Sequence, residues 1–169
     1  MLNKIYSCAT IGLQAKLVEC ELEISKGNPN TYLVGLPDAA VKESVRRVMS
    51  AIRNSMYIYP YGKKVTINLA PADLHKEGPI YDLPMALGII LSSKNIEFNS
   101  EGKLFIGELS LAGNVRKIKG IIPSLLFAKE HNFKEVYIPI GNLAEASVVK
   151  GVKIFPVKSL AQLSSHILG

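Results

Sequence analysis

A chain of 169 residues, 48% hydrophobic and 20% charged, has the size and balance of one globular domain and lacks the polar excess of a disordered chain. Its net charge of +6 favours polyanions, yet residues 1–81 and 82–169 each carry ten basic and seven acidic side chains, so any anion-binding surface has to be assembled by folding. With no secretory h-region, no run of the ~20 apolar residues that cross a bilayer, and only Cys8 and Cys20 as thiols, the expectation is a soluble, cytoplasmic protein with no membrane contact, no disulfide and no zinc site.

In chain order, Ile5–Ile11 and Leu17–Ile24 read as strands. In the second, Val18, Cys20, Leu22 and Ile24 alternate with Glu19, Glu21 and Glu23, which buries one face and leaves the other acidic. The turn chemistry of Gly27-Asn28-Pro29-Asn30 predicts Thr31–Val34 as the returning strand of a meander. Asp38, after Pro37, is the expected N-cap of a helix to about Ser55, with Val41, Val45, Val48 and Ile52 on its buried stripe. Lys42, Arg46 and Arg53 fall on another stripe, either a solvated face or a binding face. Glu43 and Arg47 have the i, i+4 spacing that supports an exposed helix.

Tyr57, Tyr59, Tyr61 and Lys63 share one parity, so an extended segment would line up rings beside a cation for base stacking; Pro60 and Gly62 argue against a regular strand there. Lys64–Leu69 is a buried strand rich in β-branched residues. After the Pro71–Pro84 loop comes a helix over Leu83–Ser93, with Asp82 as its N-cap, then a strand-turn-strand from Leu104 to Ile118 across Ala112-Gly113-Asn114. The remainder alternates: helix Ile122–His131, strand Glu135–Ile138, helix Leu143–Lys150, strand Val152–Phe155, and a helix from Ser159. Strands first and βα units later predict an α/β (α+β) sandwich of mixed sheets and packed helices, an N-terminal β-meander followed by βα units.

Candidate chemistry is sparse. Asp73, Glu77 and Asp82 enrich one loop in carboxylates but match no EF-hand spacing, so loop and cap roles are preferred to a cation site. His75, His131 and His166 are dispersed and expected at the surface, and no metal site is predicted. No Gly-x-x-x-x-Gly-Lys-Ser/Thr loop occurs, so nothing here cradles a nucleoside triphosphate in the P-loop manner.

Four stretches carry a resemblance. They are Val34-Gly35-Leu36-Pro37-Asp38-Ala39-Ala40-Val41-Lys42-Glu43, Ile67-Asn68-Leu69-Ala70-Pro71-Ala72-Asp73-Leu74, Lys76-Glu77-Gly78 with Tyr81-Asp82-Leu83-Pro84, and Ile106-Gly107-Glu108-Leu109-Ser110. In order and over nearly the whole chain they resemble the N-terminal, magnesium-chelatase-like domain of the ComM/YifB family of bacterial AAA+ proteins, a domain similar in fold to the proteolytic domain of Lon. His75 stands where some relatives carry proline.

Lon-type peptidases need a serine nucleophile and a desolvated lysine base. Set against the Pro-Lys-Asp-Gly-Pro-Ser-Ala-Gly motif, Lys76-Glu77-Gly78-Pro79 matches, but Ile80 takes the nucleophile's place; Ile118-Lys119-Gly120-Ile121-Ile122-Pro123 leads to Ser124 where the lysine would stand. Ser124 with Lys119 or Lys129 is a poor substitute, because both lysines are expected in solvent with ordinary pKa values. The resemblance thus implies a domain that is not an enzyme. It also implies that residues 1–169 form a single Lon-like domain preceding an AAA+ ATPase module, which alone would bind ATP and Mg; no cofactor is expected in this fragment.

The implied parent is a hexameric, ATP-driven DNA branch-migration helicase of natural transformation, in which this domain would assemble the ring and guide DNA without reading sequence. Three basic clusters are candidates for the DNA rim: Arg116, Lys117 and Lys119; Lys63 and Lys64; Arg46 and Arg53. The alternatives are a purely structural oligomerisation or protein-docking domain and a residual Lon-type serine peptidase.

Overall fold

The computed structural model describes all 169 residues. Nine strands and five helices follow in the order β1 (Leu2–Ile11), β2 (Gln14–Ser25), β3 (Asn30–Val34), α1 (Ala39–Asn54), β4 (Lys64–Ala70), α2 (Asp82–Ser93), β5 (Lys103–Phe105), β6 (Glu108–Leu109), β7 (Val115–Arg116), α3 (Ile121–Glu130), β8 (Glu135–Pro139), α4 (Leu143–Ala146), β9 (Lys153–Val157) and α5 (Leu160–Leu168). Seven strands form one sheet, ordered β3-β4-β2-β1-β5-β8-β9, and β6 pairs with β7 alone. β2 runs antiparallel to both neighbours, β1 and β4, whereas the β3–β4, β1–β5, β5–β8 and β8–β9 pairs are parallel. Consequently β1, β3, β4, β5, β8 and β9 all point one way, and their carboxyl ends share one edge of the sheet.

The alternation in β2 does what its pattern requires. Val18, Cys20 and Leu22 join Ile5, Val65, Ile67 and Leu69 in a core covered by α1 and α2. Every residue of α2 from Asp82 to Ser92 is buried, which explains why that helix is apolar all round rather than striped. On the opposite face α3 packs over one end of β1 and β2 around Cys8, Leu104, Ile121 and Leu125, while Glu19, Glu21 and Glu23 remain on an open face beside Lys4 and Asn68. No helix is long and apolar enough to cross a membrane.

The α1 reading holds: the Asp38 side chain accepts the Val41 amide at 2.7 Å, and Val41, Val48 and Ile52 are buried while Val45 is half-buried. The meander does not. β3 pairs parallel with β4, with Leu33 opposite Ile67, because a strand that feeds a crossover helix returns parallel to its successor. The predicted strand-turn-strand divides, β5 entering the main sheet and β6–β7 forming a separate hairpin. The helix expected over Leu143–Lys150 ends at Ala146, its one buried side chain, and Val148 is left exposed.

Candidate functional site

The four stretches singled out above meet at the carboxyl edge. Leaving β3, Leu36 accepts the Lys76 amide at 3.0 Å and Asp38 donates its amide to the Lys76 carbonyl at 3.0 Å. Asp38 serves twice more, one carboxylate oxygen capping α1 and the other accepting the Gly78 amide at 3.3 Å. Gly35 permits the approach: its φ is +109°, and a Cβ there would overlap the Leu69 carbonyl oxygen. The Ile106–Leu109 stretch closes the platform, Gly107 donating to the Ile80 carbonyl and accepting from the Leu83 amide, both at 3.0 Å.

Two charged groups are buried in this platform. The Asp82 carboxylate is wholly buried and bidentate with Arg47, whose Nε lies 2.8 Å from Oδ2 and Nη2 3.2 Å from Oδ1. The Leu109 amide donates to it at 3.0 Å. Burial pushes the Asp82 carboxyl above its ordinary value, opposed by Arg47, Ser44 and the Leu109 amide. Two expectations are corrected here. Asp82 is not the N-cap of α2, a position held by Tyr81 without a side-chain bond; it sits in the first turn facing α1, where an arginine offers a stronger partner than an amide. Arg47 accordingly turns inward to Asp82. Lys76 is also wholly buried and its Nζ donates to the Pro71 carbonyl; burial lowers its pKa, with Asp73 partly opposing.

Ile80 is half-buried and packs against both hydrophobic clusters, the α2 side and the α3 side, so it joins the two cores. Ser124 is 1% exposed, inside α3, and its hydroxyl donates to the Gly120 carbonyl at 3.4 Å. The nearby Cys8 thiol is pushed up to about 11 by burial, with Ser124 partly opposing. Tyr81, beside Ile80 in sequence, is buried with an unpartnered hydroxyl whose pKa is raised by burial and by Cys8. Lys119 and Lys129 are both exposed. The Gly120 carbonyl to which Ser124 donates withdraws no proton from a hydroxyl.

The basic clusters are dispersed rather than gathered into one rim. Arg116, Lys117 and Lys119 are exposed on β7 and the loop after it, and that loop is held by Asn142, which bonds both the amide and the carbonyl of Ile118 at 3.0 and 2.8 Å. Lys63 and Lys64 lie at the opposite, amino end of β4, and Arg46 and Arg53 are exposed on α1. The tyrosine face does not form: Tyr59 is buried and hydrogen-bonded to Thr31, Tyr57 lies under Lys94, and only Tyr61 is substantially exposed. Lys64 rests instead over Tyr32, 5.4 Å from the ring centroid. Sequence reasoning missed the burial of Lys76 and the Arg47–Asp82 pair, neither of which has a local signature.

The geometry therefore defines a mixed α/β sandwich with a tied loop platform at the carboxyl ends of its parallel strands. Residues 20–142 match the family model described as Subunit ChlI of Mg-chelatase, and the chain belongs to that family. It is similar to Competence protein ComM of Haemophilus influenzae, 40% identical over 98% of this chain and 32% of that protein. It is likewise similar to the uncharacterized protein YifB of Escherichia coli, 40% identical over 89% of this chain and 29% of that protein. At greater distance, Lon protease 2 of Bacillus subtilis is 32% identical over 75% of this chain and 23% of the protease. The chain spans about a third of the length of the ComM and YifB relatives it matches.

Proposed function

We propose that this chain is the non-peptidase, Lon-like module of a ComM/YifB-type AAA+ DNA motor, assembling the ring and guiding DNA while an ATPase module elsewhere in the longer protein supplies the work. One observation supports the reading: Ile80, which the resemblance sets at a Lon-type nucleophile's position, is a packing residue shared by two cores, and Ser124, which it sets at the lysine's position, is buried and donates to the Gly120 carbonyl. A scaffold so filled holds shape and offers surface. The DNA share is supported by the exposed Arg116, Lys117 and Lys119, which would neutralise phosphates without reading bases, six copies facing one channel if the ring is a hexamer.

A salt titration of binding to a labelled duplex tests this. The affinity should fall linearly in log–log form, and Lys117→Ala with Lys119→Ala should flatten the slope by about 0.9 for each phosphate that is no longer neutralised. Unchanged slope would refute the placement, and peptide turnover abolished by Ser124→Ala would refute the non-peptidase reading. Met56 and Ile58, 92% and 86% exposed, favour a second reading in which the domain only docks against protein; a chain that self-associates but never binds DNA would establish it.

A further inference from the structure

The tip of the β1–β2 hairpin has no role in the platform. Its two-residue turn is Gly12-Leu13, with Gly12 at φ +61° between the paired Ile11 and Gln14, so the tip is short and stiff at the end of strands of ten and twelve residues. Turn chemistry prefers a polar residue where Leu13 stands, yet Leu13 is 90% exposed and Ile11 54% exposed. The segments beside the tip are rich in cations, with Glu108 across the β6–β7 pair from Arg116 and Glu145 accepting from Asn142 as the carboxylates placed near them. No aspartate or glutamate occurs in residues 1–18 or 109–129, whereas Lys16, Arg116, Lys117 and Lys119 are all exposed. Folding brings the two segments together: Gly120 lies against Thr10, a Cβ on it falling 3.8 Å from the threonine hydroxyl. The Asn142 clamp on Ile118 fixes the loop that carries the lysines.

Apolar side chains presented from a rigid tip within a phosphate-binding field are the arrangement by which proteins part stacked bases. We propose that the Ile11–Leu13 tip is a wedge that enters the base stack where double-stranded DNA opens into single strands, with Lys117 and Lys119 holding the flanking phosphates. This rests on the DNA-guiding reading above. It adds a preference for an opening fork over a continuous duplex, and it assigns that preference to apolar residues rather than to charge.

The test uses a forked duplex carrying 2-aminopurine at the fork, whose fluorescence rises when the base unstacks. Bound wild-type chain should raise the signal several-fold and favour the fork over the closed duplex by about tenfold. The variant Leu13→Ser with Ile11→Thr, whose changes lie at exposed positions, should bind the closed duplex as before and lose both effects. Lys117→Ala with Lys119→Ala should weaken binding to both DNAs alike. Binding without a fluorescence rise, or a rise that survives in the tip variant, overturns the wedge and leaves the DNA reading standing. Absence of any DNA binding overturns both. A tip variant that changes the mass of the chain in solution but not its DNA behaviour makes the tip a protein contact, and also overturns the wedge.

Discussion

Arg47→Leu probes how far the platform depends on its buried ion pair. The Asp82 side chain is wholly buried and Arg47 is 21% exposed, so the substitution strips a carboxylate of two charged hydrogen bonds and leaves it the Leu109 amide. Removing one partner of a buried pair costs about 3–5 kcal/mol; the remaining Leu109 donor and the partial exposure of Arg47 place this case near the lower figure, about 3 kcal/mol. For a domain of this size that is a fall in Tm of about 6–12 °C. Urea unfolding followed by circular dichroism suits the measurement, since the chain has no tryptophan. The pH dependence supplies the sign. Burial already raises the Asp82 pKa above 3.8, and losing Arg47 raises it further, so the folded variant binds a proton that the unfolded chain does not. Its deficit should therefore shrink as pH falls from 7 toward 4. Adding Asp82→Asn should restore most of the loss at pH 7. A cost below about 1 kcal/mol, or no recovery in the double variant, would refute the assignment of the pair as the tie between α1 and α2.

Three further outcomes are expected. Burial lowers the Lys76 pKa, so the folded chain gives up that proton before the unfolded chain does at 10.5; stability relative to Lys76→Met should climb as pH approaches 10.5, and parallel Tm-against-pH curves would contradict the placement. Gly35→Ala, at φ +109° against the Leu69 carbonyl, should cost about 1–3 kcal/mol from backbone conformation alone; urea unfolding with an unchanged midpoint would show that Leu69 yields freely. Cys8 and Cys20, both buried with raised pKa values, should react with a thiol reagent at pH 8 only as fast as the chain opens, and a rate matching that of a free thiol would disprove their protection.

What the sequence disclosed was local. The β2 alternation, the α1 stripe and the Asp38 cap are each written within a dozen or so residues, and the structure realises all three. Pairing was not legible, because β3 answers to β4, which lies beyond a whole helix, rather than to the neighbouring β2. Local rules also mislead where a distant group competes: Asp82 has every sign of a helix cap, but Arg47, 35 residues earlier, claims it. The parity that aligned Tyr57, Tyr59 and Tyr61 assumed an extended segment. Pro60 and the turn after it broke that assumption, and Tyr59 folded inward to Thr31. Ile80 and Ser124 draw attention only through the resemblance, since an isoleucine in a loop and a serine in a helix carry no chemistry of their own.

Charge and topology together constrain how a polyanion could approach on the proposed reading. The open face of the sheet presents Glu19, Glu21 and Glu23 in one row, with Lys4 already engaged by Glu19 at 2.9 Å, so that face repels phosphate despite the net charge of +6. The uncompensated cations lie elsewhere, and the acid-free segments that carry Lys16, Lys117 and Lys119 meet beside Thr10 at the carboxyl end of β1. DNA would therefore be drawn end-on to the strands, toward the edge at which open α/β sheets place their ligands. That edge is also where Ile80 joins the two cores. A serine there would put a polar group into apolar surroundings and loosen the junction. Isoleucine stiffens it, and stiffness is what a guiding surface needs, because phosphate contacts fix the register of DNA only if the groups making them hold still.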